Sequence, residues 1–105
     1  MNIFCLIVLL FPFAASAADT DYRLVIKDHR FLPAELNIPS GSKIRLLIEN
    51  QDATPEEFDS YALNREKVIA GHGSATLYIG PLDKGRYPFI GEFNAATALG
   101  AVVAQ

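Results

Sequence analysis

From Tyr22 onward, apolar residues alternate with polar ones in short runs, and each run ends at a cluster of Gly, Pro, Asn or Asp. Such alternation argues for strands, because a strand turns every second side chain to one face, whereas a helix needs a repeat near 3.6. Tyr22, Leu24 and Ile26 oppose Arg23, Val25 and Lys27 in a run that ends at Asp28. Asp28-His29-Arg30 is a polar break. Phe31–Ala34 continues extended, since Pro33 has no amide to donate and biases Leu32 away from helix. Glu35–Ile38 reads as a short strand, and Pro39-Ser40-Gly41-Ser42 as a turn. Lys43–Glu49 is the clearest strand, with Ile44, Leu46 and Ile48 on one face. Asn50–Pro55 is a loop. After Glu56–Ser60, Tyr61–Arg65 lacks a clear period, and Ala62–Lys67 admits one helical turn. Further strands are predicted over Glu66–Ala70, Ala75–Ile79, Arg86–Ile90 and Gly100–Ala104. About seven short strands at spacings of about 8–12 residues predict an all-β, Greek-key antiparallel β-sandwich.

Residues 1–17 stand apart from this pattern. Ile3–Ala14 is apolar, and Ala15-Ser16-Ala17 has the small residues of a cleavage site, so residues 1–17 are expected to be a cleaved signal peptide. The run falls short of the roughly 20 apolar residues that span a bilayer. The expected product is a single domain, residues 18–105, exported to the periplasm with no stable membrane anchor after cleavage. Cys5 lies inside the apolar run and does not have the position of a lipid-attachment cysteine.

The net charge of −3 makes nucleic acid a poor partner. The chain has one Cys and one Met, both within residues 1–17, so the domain has no disulfide and no thiolate or thioether metal ligand. Its remaining donors are His29, His72 and carboxylates. Ser60 and Ser74 have no His and acid partners nearby in sequence, which leaves nucleophilic catalysis unsupported. No catalytic residue is assigned, and the chain is not expected to be an enzyme.

The stretch from Gly85 to Gly100 has the grammar of a strand leading into a functional loop. Tyr87 and Phe89 share a face, Gly91 ends the strand, and a short polar loop precedes the last apolar run. Together with Phe31-x-Pro33, Ile38-Pro39-x-Gly41, Ile48-x-Asn50 and Glu56-x-Phe58, this order of motifs resembles the cupredoxin family along nearly all of residues 18–105. In copper-binding members the residue two before the aromatic after the Asn loop is a His ligand. Here it is Glu56. By the same resemblance, the Cys position holds Gly91, the second His position Asn94 and the axial Met position Ala98. A blue-copper centre needs a thiolate and two imidazoles, so no type 1 copper is expected. The wording Asp52–Ser60 with Gly91-Glu92-Phe93-Asn94 is similar to EfeO/FtrB-type cupredoxins, periplasmic partners of ferrous-iron permeases. That resemblance implies a part in iron acquisition, through metal capture or oxidation of iron.

Strand parity offers a separate reading of the site. In an up-and-down count the loops at Asp28–Phe31, Asn50–Glu57, Gly71–Ser74 and Gly91–Glu92 lie at one end of the sandwich. His29, Glu56, Glu57, His72 and Glu92 are therefore the expected metal ligands. Carboxylates with one or two imidazoles suit iron or Mn(II) and also accept Cu(II). Asn94 and Thr97 are expected to cap the loop. Two functions follow as expectations. One is a periplasmic iron- or copper-binding accessory protein of a ferrous-iron uptake system. The other is a metal-free β-sandwich that docks on a permease or another periplasmic protein.

Overall fold

The computed structural model describes residues 20–105. The expected signal peptide and its cleavage site lie outside the described residues. Among the described residues nine strands form: β1 (Thr20–Lys27), β2 (Arg30–Leu32), β3 (Glu35–Ile38), β4 (Ile44–Asn50), β5 (Glu56–Ser60), β6 (Arg65–Ile69), β7 (Ser74–Ile79), β8 (Gly85–Gly91) and β9 (Leu99–Ala104). A 3-10 turn, Glu92–Asn94, links β8 to β9. Among the described residues there is no α-helix, and no helix is long and apolar enough to cross a membrane.

The expected all-β sandwich is what the chain builds. One sheet has the order β2-β1-β4-β7 and the other β3-β9-β8-β5-β6. The sheets are mixed rather than wholly antiparallel. β1 runs parallel to β4, and β3 runs parallel to β9. The cause is the route of the chain: β3 lies in the second sheet, so β4 re-enters the first beside β1 without a hairpin between them. Two strands exceed the sequence expectation. β2 pairs with the end of β1, and β5 pairs with both β6 and β8. The helical turn that Ala62–Lys67 admits does not form, because Arg65–Lys67 joins β6 and leaves only a turn at 61–64.

Alternation built the core as read. Leu24 and Ile26 of β1, Ile44, Leu46 and Ile48 of β4, and Leu77 and Ile79 of β7 are buried against Phe58, Phe89 and Val102 of the second sheet. Phe31, Phe58 and Phe89 meet at centroid distances of 4.9–6.1 Å, two of the three contacts being edge-to-face. Each fully buried ring contributes about 1.5–3 kcal/mol of transfer free energy. Asn50 fixes the loop after β4. Its buried amide donates to Thr54 O at 2.8 Å and to Ile69 O and Ala70 O at 3.3 Å, and its Oδ1 accepts Asp52 N–H at 3.0 Å.

Candidate functional site

β5 alternates as Glu56, Phe58 and Ser60 buried, with Glu57 and Asp59 turned to the other face. Glu56 therefore points into the sandwich, where it is 1% exposed. A carboxylate there survives only if its oxygens are bonded. Oε1 accepts the backbone N–H of Glu57 and of Phe93, both at 2.9 Å. Oε2 accepts the Asn94 side-chain amide at 2.7 Å. The loop is also tied to itself: Gly91 N–H donates to Ala98 O, and Ala98 N–H to Asn94 O, each at 2.8 Å.

Glu56, Gly91, Asn94 and Ala98 thus form one contiguous group. These are the positions that the cupredoxin resemblance assigns to copper ligands, and their packing tests whether copper fits. A Cβ on Gly91 would lie 2.6 Å from Glu56 Cδ and 2.6 Å from Ala98 Cβ. The carboxyl group of Glu56 fills the space that a cysteine side chain would need. With no thiolate, no imidazole and a carboxylate already engaged by three donors, these residues do not fit a type 1 copper ion.

The outward face of β5 is different. Glu57, Glu66 and Glu92 each offer a carboxylate oxygen within 4.8 Å of the others. β5–β6 register sets Glu57 opposite Val68, so Glu66 lies on its diagonal, while Glu92 follows β8 directly. The hydrogen bond shared with Glu92 pushes the Glu57 carboxyl up to about 7, aided by desolvation and by the charges of Glu92 and Glu66. Oxygen donors so arranged match a hard cation.

The histidines lie elsewhere. Asp52 organises their loops. Its carboxylate accepts Asp28 N–H at 2.8 Å and His29 N–H at 3.0 Å, and its carbonyl accepts His72 N–H at 2.8 Å. Asp28, His29 and His72 all have positive φ, at 53°, 56° and 54°. The His29 N–H bond chiefly holds the Asp52 carboxyl below its ordinary value. Desolvation opposes this, and Asp28 N–H and the nearby charges of His29 and His72 reinforce it. His29 Nε2 is 3.5 Å from Thr54 Oγ1, and Thr97 Oγ1 donates to the His29 carbonyl at 2.6 Å. His72 lines a shallow cavity of about 450 Å³ with Glu49, Asn50 and Gln51. Gly71 holds that loop down, since a Cβ there would meet Ala53 O at 1.9 Å.

Of the five residues expected to gather, the structure brings Glu57 and Glu92 together, sends Glu56 inward, and places His29 and His72 around Asp52. Glu57, Glu66 and Glu92 are the one set of potential ligands with mutually close donor atoms among the described residues. Sequence reasoning missed Glu66, whose membership depends on register across a turn. It also missed the inward direction of Glu56, which the shared parity with Phe58 encodes. The Asn94 backbone carbonyl accepts Thr97 N–H and Ala98 N–H, while its side chain is turned to Glu56.

A family profile described as "Cupredoxin-like domain" matches residues 1–104. The chain belongs to the cupredoxin-like family. It is 41% identical over 83 residues to "Uncharacterized protein RP394" of Rickettsia prowazekii (strain Madrid E), a match covering 79% of this chain and 66% of that protein. The match thus spans just under two thirds of that relative's length. Among solved structures, the cupredoxin-like fold is similar to auracyanin A, a "blue" copper protein from Chloroflexus aurantiacus. That likeness has a TM-score of 0.72 at 12% identity, covering 84% of this chain and 100% of auracyanin A. Amicyanin from Paracoccus versutus (Thiobacillus versutus) matches with a TM-score of 0.64 at 16% identity, covering 85% of this chain and 88% of amicyanin.

Proposed function

We propose that this cupredoxin-like chain is a periplasmic metal-binding accessory protein of a ferrous-iron uptake system, and that it does not carry electrons through blue copper. The observation that carries the metal-binding reading is the convergence of Glu57, Glu66 and Glu92 within 4.8 Å. Three carboxylates crowded on one face repel one another, and a bound cation turns that repulsion into attraction. The iron-uptake context rests on the likeness of Asp52–Ser60 and Gly91–Asn94 to EfeO/FtrB-type proteins.

Calorimetry of the purified protein with Fe(III), Fe(II), Cu(II) and Mn(II) tests the reading. Glu57→Gln and Glu66→Gln are each expected to weaken binding at least about tenfold, equivalent to about 1.4 kcal/mol. Glu56→Gln is expected to leave the affinity unchanged, because its oxygens are spent on Glu57, Phe93 and Asn94. Affinity no tighter than about millimolar for every ion, only about −4 kcal/mol, overturns the proposal.

A second reading, a metal-free interaction subunit docking on a permease or another periplasmic protein, is favoured by a different observation. The interior locus is closed by Glu56 and needs no ion to satisfy its polar groups. Failure of all four titrations would support this second reading.

A further inference from the structure

The outer face of the five-stranded sheet carries more than the three clustered carboxylates. Register places Ile90 opposite Leu99 and Pro88 opposite Ala101, all turned away from buried Phe89 and Val102. Leu99 is 51% exposed, Pro88 is exposed and Ile90 is half-buried, so these three apolar side chains stand open on this face, while Ala101 is fully buried. Beside it, Asp59 pairs with Ile90 on one side and directly with Glu66 on the other. Like charges directly opposite on antiparallel strands destabilise a sheet.

The ion pairs among the described residues join Arg23 to Glu49, Arg45 to Asp21 and Arg86 to Glu35, and none includes Glu57, Asp59, Glu66 or Glu92. The cations of β6 have the other parity: Arg65 and Lys67 alternate with Glu66 and Val68, and Arg65 is bonded to Tyr78 O at 3.1 Å. Where the apolar side chains and the acids meet, Asp59, Tyr61, Ala62, Pro88 and Ile90 line a groove of about 320 Å³. Tyr61 stands at its rim, 100% exposed. A carboxylate and an aromatic ring flanking an apolar floor suit a Lys or Arg side chain, whose stem is apolar and whose head seeks charge and the π face.

We propose that this face docks a basic segment of a partner protein, one in which Lys or Arg alternates with apolar side chains. The apolar side chains lie on Pro88, Ile90 and Leu99, one cation enters the groove between Asp59 and Tyr61, and others neutralise Glu66 and Glu57. Charge complementarity selects this occupant over a second copy of the chain, which would bring a net charge of −3 against the same acidic bank. The inference concerns the metal-free chain, since an ion held by Glu57, Glu66 and Glu92 would compete with the partner's cations for the same carboxylates.

The test is amide-shift mapping by NMR in the presence of a chelator, with a short peptide of alternating Arg and Leu as the probe. A Glu/Leu peptide of equal length is the control. Shifts are expected at Asp59–Ala62, Glu66, Ile90 and Leu99, with affinity falling as salt rises. Asp59→Asn with Glu66→Gln, and separately Leu99→Ser, are each expected to weaken binding at least tenfold while leaving the unbound spectrum folded. Any of four results overturns the proposal: no binding at millimolar peptide, shifts spread over other faces, equal binding by the variants, or self-association of the protein through these residues. Because chelator removes metal from the experiment, its outcome is separate from that of the titrations with iron and copper.

Discussion

Glu56 and Asn94 form a matched acceptor and donor, and the match is testable by exchange. In Glu56→Gln, the remaining carbonyl oxygen can keep the N–H bonds from Glu57 and Phe93, but the new amide group faces the amide of Asn94. Loss of a buried bond to a charged group costs about 1.5–3 kcal/mol. In a domain of this size that corresponds to a fall in melting temperature of about 4–8 °C per kcal/mol. Asn94→Asp sets two carboxylates face to face and is expected to destabilise at least as much. The double variant, Glu56→Gln with Asn94→Asp, restores a donor facing an acceptor and is expected to recover part of the loss. Thermal melting of all four proteins checks this, and additive losses in the double variant would disprove the pairing. The direction of Glu56 was readable at this scale. Phe58 and Ser60 share its parity, and an apolar aromatic two positions on marks the inward face. What the sequence does not contain is the identity of the donors, since Phe93 N–H and Asn94 reach Glu56 only through the return of β8.

Strands β5 and β6 carry the acidic bank as a property of their register, and that register has a pH signature. Glu57 has an ordinary carboxyl value of 4.5 when free and about 7 in the fold, chiefly because of its hydrogen bond with Glu92. The folded chain therefore binds a proton more tightly than the unfolded chain between these values. The stabilisation is fully present below the lower value and is lost as pH rises through the upper one. Melting temperature is expected to decline between about pH 5 and about pH 8, and Glu57→Gln is expected to flatten the decline. An identical slope in the variant would mean that another group is responsible. Asp52 acts in the opposite direction and in a separate window. Its lowered carboxyl value gives stability that is present above its ordinary 3.8 and lost as pH falls through the folded value. The cluster was half legible. Glu57 and Glu92 could be nominated from motifs, whereas Glu66 depends on how many residues the 61–64 turn consumes. A slip of one residue would have turned Glu66 to the other face.

The described residues are held together by a hydrophobic core that runs from Leu24 on β1 to Val102 on β9 and is filled without an ion. Exhaustive treatment with chelator is therefore expected to leave the circular dichroism spectrum unchanged and to lower the melting temperature by no more than loss of an ion from Glu57, Glu66 and Glu92 accounts for. A large loss of structure on chelation would show that an ion supports the fold. At this scale the sequence was most informative, because Ile44, Leu46 and Ile48, or Leu77 and Ile79, announce their buried face by alternation alone. Mixed pairing was not legible, since parallel neighbours such as β3 and β9 are far apart in the chain and share no turn. That pairing has a consequence for how the protein is made. β9 lies between β3 and β8, so the second sheet stays open, with β3 unpaired, until Leu99–Ala104 has emerged. A chain still leaving the ribosome can hold only fragments of this sandwich, and the long loop between its distant strands must close in one late step. Synthesis of nearly the whole domain precedes its folding, which keeps the nascent chain threadable for as long as it is being extended.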